Sequence, residues 1–382
     1  MKVEQTYWTS SGGWRPYFPG STLREADLLL VFASRELFRE APFFGMLSAL
    51  FPDAILAGCS TAGEIFGTNV SDGGLVCNAI HFDHTQCRSA SVRLAQGGSI
   101  TYAGRDLASQ LDPEGLRHVL IISDGIRVNG TELIDAMTEV IPPEVSITGG
   151  LAGDADLFRE TYVCSGSEPV QGAIMAVGLY GDRLVIGRGS QGGWDPFGPE
   201  RLITKSRGNQ LYELDGQSAL SLYKQYLGQY ADQLPGSALL FPLAVRIHDQ
   251  EEELVRTILG VDETSNSMIF AGDMPEGGYA RLMKANIDRL IDGAIDAATQ
   301  CKNQISPLSA EFALLISCVG RKMVLKQRVE EEVEGVRDIL GTGTPLAGFY
   351  SYGEIGPCAP NQSTRLLNQT MTITTFTERT DS

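Results

Sequence analysis

Three stretches of this chain repeat one pattern, and that pattern narrows the folds open to it. Short apolar runs at 27–34 (DLLLVFAS), 118–125 (HVLIISDG) and 312–320 (FALLISCVG) each end in small or polar residues, including Ser34, Ser123 or Ser317. Each is bounded and brief, as a buried strand is. A stretch with helical patterning follows each, over 35–51, 129–141 and 324–340. A second apolar run then enters a glycine turn: AGCSTAGEI (57–65), ITGGLAGDA (147–155) and AGFYSYGEI (347–355). The first and third turns share A-G-x-x-x-x-G-E-I; the second keeps the later glycine and an acid after it. Strand, helix and strand in that order make a βαβ unit, with parallel strands joined by a right-handed crossover. The turns at 58–64 and 348–354 are therefore expected to follow one backbone path.

Between the units the pattern changes to alternation. LVCNAIHF (75–82), SASVRL (89–94), GAIMAVGLY (172–180) and RLVIGRGS (183–190) read as antiparallel strands, with Gly181-Asp182 as a hairpin turn between the last two. LVRTILGV (254–261), SMIFAGD (267–273) and MTITTFTE (371–378) add further strands. Helices are expected over 216–227 and over 279–300, where Leu282, Ile287, Leu290, Ile291 and Ala294 share one helical face. The expected fold is α/β, with mixed sheets built from repeated βαβ–glycine-turn units, added antiparallel strands, and two related lobes. The GGWDPFGPE stretch (192–200) and the QLPGS turn (233–237) bracket the change of domain.

A chain of 382 residues at 43% apolar and 20% charged can bury a conventional core. Its formal charge of −17 repels phosphate backbones and anionic lipid, so neither nucleic acid nor membrane is an expected partner. The densest cationic stretch, RKMVLKQR at 321–328, runs straight into EEEVE and reads as a solvated face of alternating charge. The N-terminal residues have no secretory core, and no apolar run approaches the ~20 residues of a membrane span. Seven cysteines sit scattered without a C-x-x-C pair, which favours a reducing, cytoplasmic setting.

These motifs carry a resemblance. AGCSTAGEI and ITGGLAGD resemble signatures of the FIST N domain, TKSRGNQLYELDGQSALSLYKQYLG (204–228) is similar to the segment that bridges to FIST C, and FAGDMPEGGYARLM (270–283) and LAGFYSYGEIGP (346–357) resemble FIST C. The likeness runs from about Asp27 to Pro357 and implies a FIST N-like domain over 1–203 and a FIST C-like domain over 204–382. It also implies a cytoplasmic signal-transduction sensor that binds a small ligand, such as an amino acid, and reports to a partner protein such as a histidine kinase. Some members resemble haem-based nitric oxide sensors, so haem is an open alternative. With about 26 residues before the first unit and no output segment after Ser382, the signal is expected to pass through a partner.

Glycines at the carboxyl ends of parallel strands let a ligand approach backbone N–H groups. The candidate ligand residues are accordingly Gly58, Ser60, Thr61, Gly63 and Glu64 in the first turn, and Gly348, Ser351, Gly353 and Glu354 in the third. Their hydroxyls and carboxylates would suit a zwitterion. The competing reading is that the glycines only make tight turns and the carboxylates cap or pair. Trp194 either stacks on a ligand or plugs the lobe interface. Among the histidines, His81 and His84 face opposite sides of a strand and His118 opens a buried one. His248, after an apolar run, is the candidate axial ligand to haem iron. Cys59 beside Gly58 resembles a nucleophile elbow without its spacing, and would serve a thiol-dependent enzyme; a packed thiol is the alternative. Catalytic residues are not otherwise expected.

Overall fold

The computed structural model describes residues 1–16, 25–40, 43–165, 168–234, 236–246, 253–358 and 363–380. Each apolar run is a strand buried on both faces, which requires cover on both sides. In the first unit these elements are Leu28–Ser34 (β1), Arg35–Glu40 (α1), Phe43–Leu50 (α2), Ile55–Thr61 (β2), Glu64–Phe66 (β3) and Leu75–His81 (β4). The second has Leu116–Ser123 (β5), Gly130–Thr138 (α3), Ser146–Leu151 (β6), Val163–Ser165 (β7) and Ala173–Tyr180 (β8). The third has Phe312–Cys318 (β9), Val319–Leu325 (α4), Val329–Leu340 (α5), Leu346–Ser351 (β10), Gly353–Pro357 (β11) and Met371–Glu378 (β12).

In every unit the first two strands are parallel and the fourth pairs antiparallel with the first. The third strand is lent to another unit. Strand β3 pairs with β10, β7 with β2, and β11 with β6, so the three units close in a ring. The inward residues of the first strands meet at its centre, with Leu30 and Phe32, Leu120 and Ile122, and Leu314 and Ile316 in one cluster. Their outward neighbours lie under the helices, as Leu29 and Val31 do with Phe38, Phe44 and Leu47. The mixed α/β fold of repeated lobes is thus present.

A fourth, antiparallel sheet of nine strands lies in the chain between the strand Leu184–Gln191 and the helix Ile287–Ile305. It has its own core, in which the helix Ala219–Leu227 packs on Ile203, Leu211, Met268 and Phe270. The division expected at 203/204 falls within one of its strands, Arg201–Arg207.

Four local expectations change. Gly181-Asp182 is not a hairpin turn, because both edges of β8 are already taken, by β5 and by the strand Gln86–Arg93. The chain instead crosses to another sheet, where Leu184–Gln191 pairs with β12. The helix expected over 279–300 begins at Ile287, and Tyr279–Ala285 is a strand in which Ala280 and Leu282 alternate into the core. Asn286 caps the helix, its side chain accepting from the Arg289 N–H. The run 254–261 is split into Glu253–Arg256 and Ile258–Asp262, which pair with different partners. The charged stretch at 321–332 is also more than a solvated face. Arg321 and Glu332 are both fully buried and paired at 2.7 Å, with Ser317 and Tyr350 donating to the same carboxylate.

Register fixes the glycines. Gly58 lies opposite Val31, Gly149 opposite Ile121 and Gly348 opposite Leu315. At each, an added Cβ would overlap the facing carbonyl oxygen, so no side chain fits. Gly58→Ala and Gly348→Ala should each lower the urea unfolding free energy by about 3 kcal/mol or more, as rigid overpacking does. Wild-type stability in both would contradict this register.

Candidate functional site

The glycine turns are built as clasps. Thr61 donates to Glu64 at 2.7 Å, and Ser351 donates to Glu354 at the same distance. Each carboxylate also accepts a backbone N–H just before its unit's fourth strand, from Gly74 at 3.0 Å and from Thr370 at 3.1 Å. The second unit makes the equivalent bond with Asp124, which accepts from Gly172 at 2.8 Å. The first and third turns therefore share register and clasp. They differ at the second glycine, where Gly63 has φ 139° and Gly353 lies outside the positive region.

Both glutamates are buried, and burial pushes their carboxyls up to about 8 against the hydrogen bonds that pull down. Thr61 can serve the protonated form, since its hydroxyl also reaches the Ala33 carbonyl at 3.3 Å and its oxygen is then free to accept.

The turn residues do not converge on one space. Thr61, Gly63 and Glu64 line a cleft of about 490 Å³ at the carboxyl ends of β1 and β2. Two of its cations are already paired, Lys322 with Asp72 and the Ala62 carbonyl, and Arg35 with Glu36 and Asp154, while Lys326 lines it from an exposed position. Gly63 makes room for the Lys322 side chain. Ser60 is buried and accepts from the Tyr162 N–H, while Gly58, Gly348, Ser351, Gly353 and Glu354 pack within strands away from this cleft. Trp194 is nearly buried, donates from Nε1 to the Gln369 carbonyl at 3.0 Å, and walls a separate cavity of about 280 Å³.

A third cavity, of about 430 Å³, lies where α3 and the strand Thr364–Leu367 meet the fourth sheet. Arg256 stands in its wall, only 3% exposed. Its guanidinium donates from Nε to the Asp273 carbonyl at 3.3 Å and from Nη1 to the Leu366 carbonyl at 3.1 Å, and packs close to Gly272. Among the described residues no carboxylate makes a direct ion pair with it, although the charges of Asp273 and Asp135 act on it at longer range. Burial pushes its pKa down to about 10, which leaves it charged at neutral pH. An unpaired buried charge costs several kcal/mol unless something else supplies the counter-charge. Arg365 lines the same cavity and holds Asp135 at 3.4 Å, with Asp273 and Glu276 close by. Arg256, Arg365 and Asp273 were not among the residues marked by the turns. The one signal was an arginine inside the apolar run LVRTILGV.

Cys59 is fully buried in β2, and burial pushes its thiol well up, so it offers no nucleophile to solvent. His248 lies outside the described residues. The other histidines have polar neighbours of their own. His118 is buried between Ser146 and Thr148, His81 faces Asp27 at 3.0 Å, and His84 meets Arg183 at 3.0 Å. No described helix is long and apolar enough to cross a membrane.

Comparison with known families decides the relationship. A FIST N domain matches residues 27–217, and a FIST C domain matches residues 219–357. The chain belongs to the FIST family. That family is associated with signal-transduction sensing. Proteins similar to this one include an uncharacterized protein of Mycobacterium tuberculosis, 27% identical over 237 residues, covering 57% of each chain. Another, from Methanocaldococcus jannaschii, also uncharacterized, is 24% identical over 320 residues, or 78% of this chain and 60% of that one. The chain therefore spans about three fifths of the length of these relatives. Among solved structures, a cyanuric acid hydrolase from A. caulinodans aligns over 100% of this chain and 99% of its own, at 10% identity and a TM-score of 0.38. The Arg256 cavity thus lies where the FIST N and FIST C segments meet, with Thr131 and Ser206 from one and Arg256 and Asp273 from the other.

The clasps predict a pH dependence. Folded Glu64 and Glu354 keep their protons to about pH 8, whereas the unfolded carboxyls lose them near 4.5. The folded state then holds more protons across this window, so their contribution to stability is whole below it and is lost as pH rises through 8. Urea midpoints should fall between about pH 5 and pH 8, and the double variant Glu64→Gln/Glu354→Gln should flatten that fall. An equal slope in the variant would mean that both carboxyls are ionised in the fold.

Proposed function

We propose that this FIST protein is a sensor that binds a small anionic or zwitterionic ligand at Arg256 and reports its occupancy to a partner protein such as a histidine kinase. The observation that carries this reading is the buried guanidinium with no carboxylate partner among the described residues, at the edge of a cavity large enough for a small molecule. A ligand carboxylate would supply the missing counter-charge, with Arg365 as second donor. The acids Asp273 and Glu276 would take an ammonium group, as an amino acid requires. Residues from both domains line the cavity, so a bound ligand would bridge them and shift how the domains meet. That shift is the signal a partner would read. The cleft at Thr61, Gly63 and Glu64 supports the reading less well, because its two less exposed cations, Lys322 and Arg35, are already paired with carboxylates.

A thermal-shift and calorimetric screen of α-amino acids against their decarboxylated amines tests this. Acids should raise the melting temperature and amines should not. Arg365→Gln, at a partly exposed position, should weaken binding severalfold without moving the ligand-free melting temperature, and Arg256→Lys should weaken it by about tenfold or more. Binding that survives both changes, or amines that bind as well as acids, would overturn the assignment. The bound acid should also change the affinity for the kinase partner.

A further inference from the structure

The 280 Å³ cavity beside Trp194 contains a second unexplained polar group. Asn368 lines it at 1% exposure, and neither its Nδ2 nor its Oδ1 has a hydrogen-bond partner among the described residues. Four other polar side chains of this wall are occupied, while Gln191 lines it from an exposed position. Ser190 bonds Thr372 at 3.0 Å, Thr370 bonds Glu354 at 3.0 Å, Trp194 bonds the Gln369 carbonyl, and Glu253 pairs with Arg281 at 2.7 Å. Much of the remaining wall is apolar, including Leu254, Val255, Met283 and Leu367. Gln369 next door also has an unpartnered amide, but that one lies against Gly320 and does not line the cavity.

A buried amide with both ends unmet costs free energy, and native interiors rarely leave one so. We propose that this cavity is a second ligand site, for an uncharged small molecule bearing a carboxamide or lactam edge. The Asn368 side chain presents an N–H donor and a C=O acceptor side by side in one plane. The complement is an acceptor beside a donor in the ligand, which is the edge of another amide. A carboxylate would satisfy Nδ2 but set its second oxygen against Oδ1; an ammonium would satisfy Oδ1 and oppose Nδ2. The apolar wall and the Trp194 ring suit the uncharged remainder of such a ligand. The space holds roughly nine waters at ~30 Å³ each, so a molecule of about that many heavy atoms fits. This site uses none of the charges around Arg256, and its test is independent of that reading.

The experiment titrates the full chain with acetamide, 2-pyrrolidinone and benzamide, and with acetate and benzoate as matched anions, followed by ligand-observed NMR. At least one amide should bind, and on the order of tenfold or more tightly than its carboxylate. Asn368→Leu replaces both unmet groups with apolar atoms of similar volume. It should abolish amide binding while leaving the melting temperature unchanged or raised. Arg365→Gln should leave amide binding as it is. No amide binding at millimolar concentration, equal binding of amide and carboxylate, or retained binding in Asn368→Leu would each overturn the proposal. So would a marked fall in the melting temperature of Asn368→Leu, which would make the amide part of a hydrated structural network.

Discussion

The carbonyl oxygens of Val31, Ile121 and Leu315 each lie where a neighbouring glycine has no Cβ. At these three places the parallel strands approach more closely than any side chain allows, and the geometry of each unit follows from that contact. Because the second strand is held there, its free edge is available to a strand from another unit. Strands β3, β7 and β11 take those edges in a ring. Each unit thereby covers the edge of another's second strand. The inward faces then have only one another to pack against, and Phe32 meets Phe349 with ring centroids 4.7 Å apart at the centre.

The same closure gives the acids of the glycine turns structural work. Glu64 and Glu354 are enclosed by the strands they join and are occupied in holding the loops that precede β4 and β12. A group that clasps the scaffold is not free to release a ligand. The open, chemically unfinished surface lies instead where the fourth sheet abuts the ring. Arg256 has no directly contacting carboxylate there, and Asn368 lacks partners nearby, among the described residues. Sites between domains can change shape without disturbing either core, which is what a sensor needs.

Much of the fold was legible in the sequence because it is written in local periodicity. The strand pairs of all three units, the shared A-G-x-x-x-x-G-E-I turns and the alternation of β12 could be read from short windows. What failed to read through depends on partners distant in sequence. Nothing local indicates that β8 is already saturated on both edges, so Gly181-Asp182 looks like a hairpin. Leu282 fits a helical face and a strand face equally well, and only Asn286 as a cap separates them. The ring itself was invisible, since three-residue strands such as β3 and β7 carry almost no pattern. The proposed site was the least legible part. Glycine and acidic residues mark the turns strongly, whereas Arg256 is a single cation in an apolar run, and its meaning lies in the want of a carboxylate partner.

The most direct test of the central claim is to see an anion at Arg256. Crystals of the full chain soaked in 4-bromobenzoate, whose aryl bromide does not alkylate thiols, carry an anomalous scatterer attached to a carboxylate. The account predicts a bromine peak within the cavity lined by Arg256, Arg365 and Asp273, with the carboxylate oxygens within hydrogen-bond distance of the Arg256 guanidinium. A cavity that stays empty while bromine occupies the cleft at Thr61 and Lys322, or no ordered site at all, would contradict it.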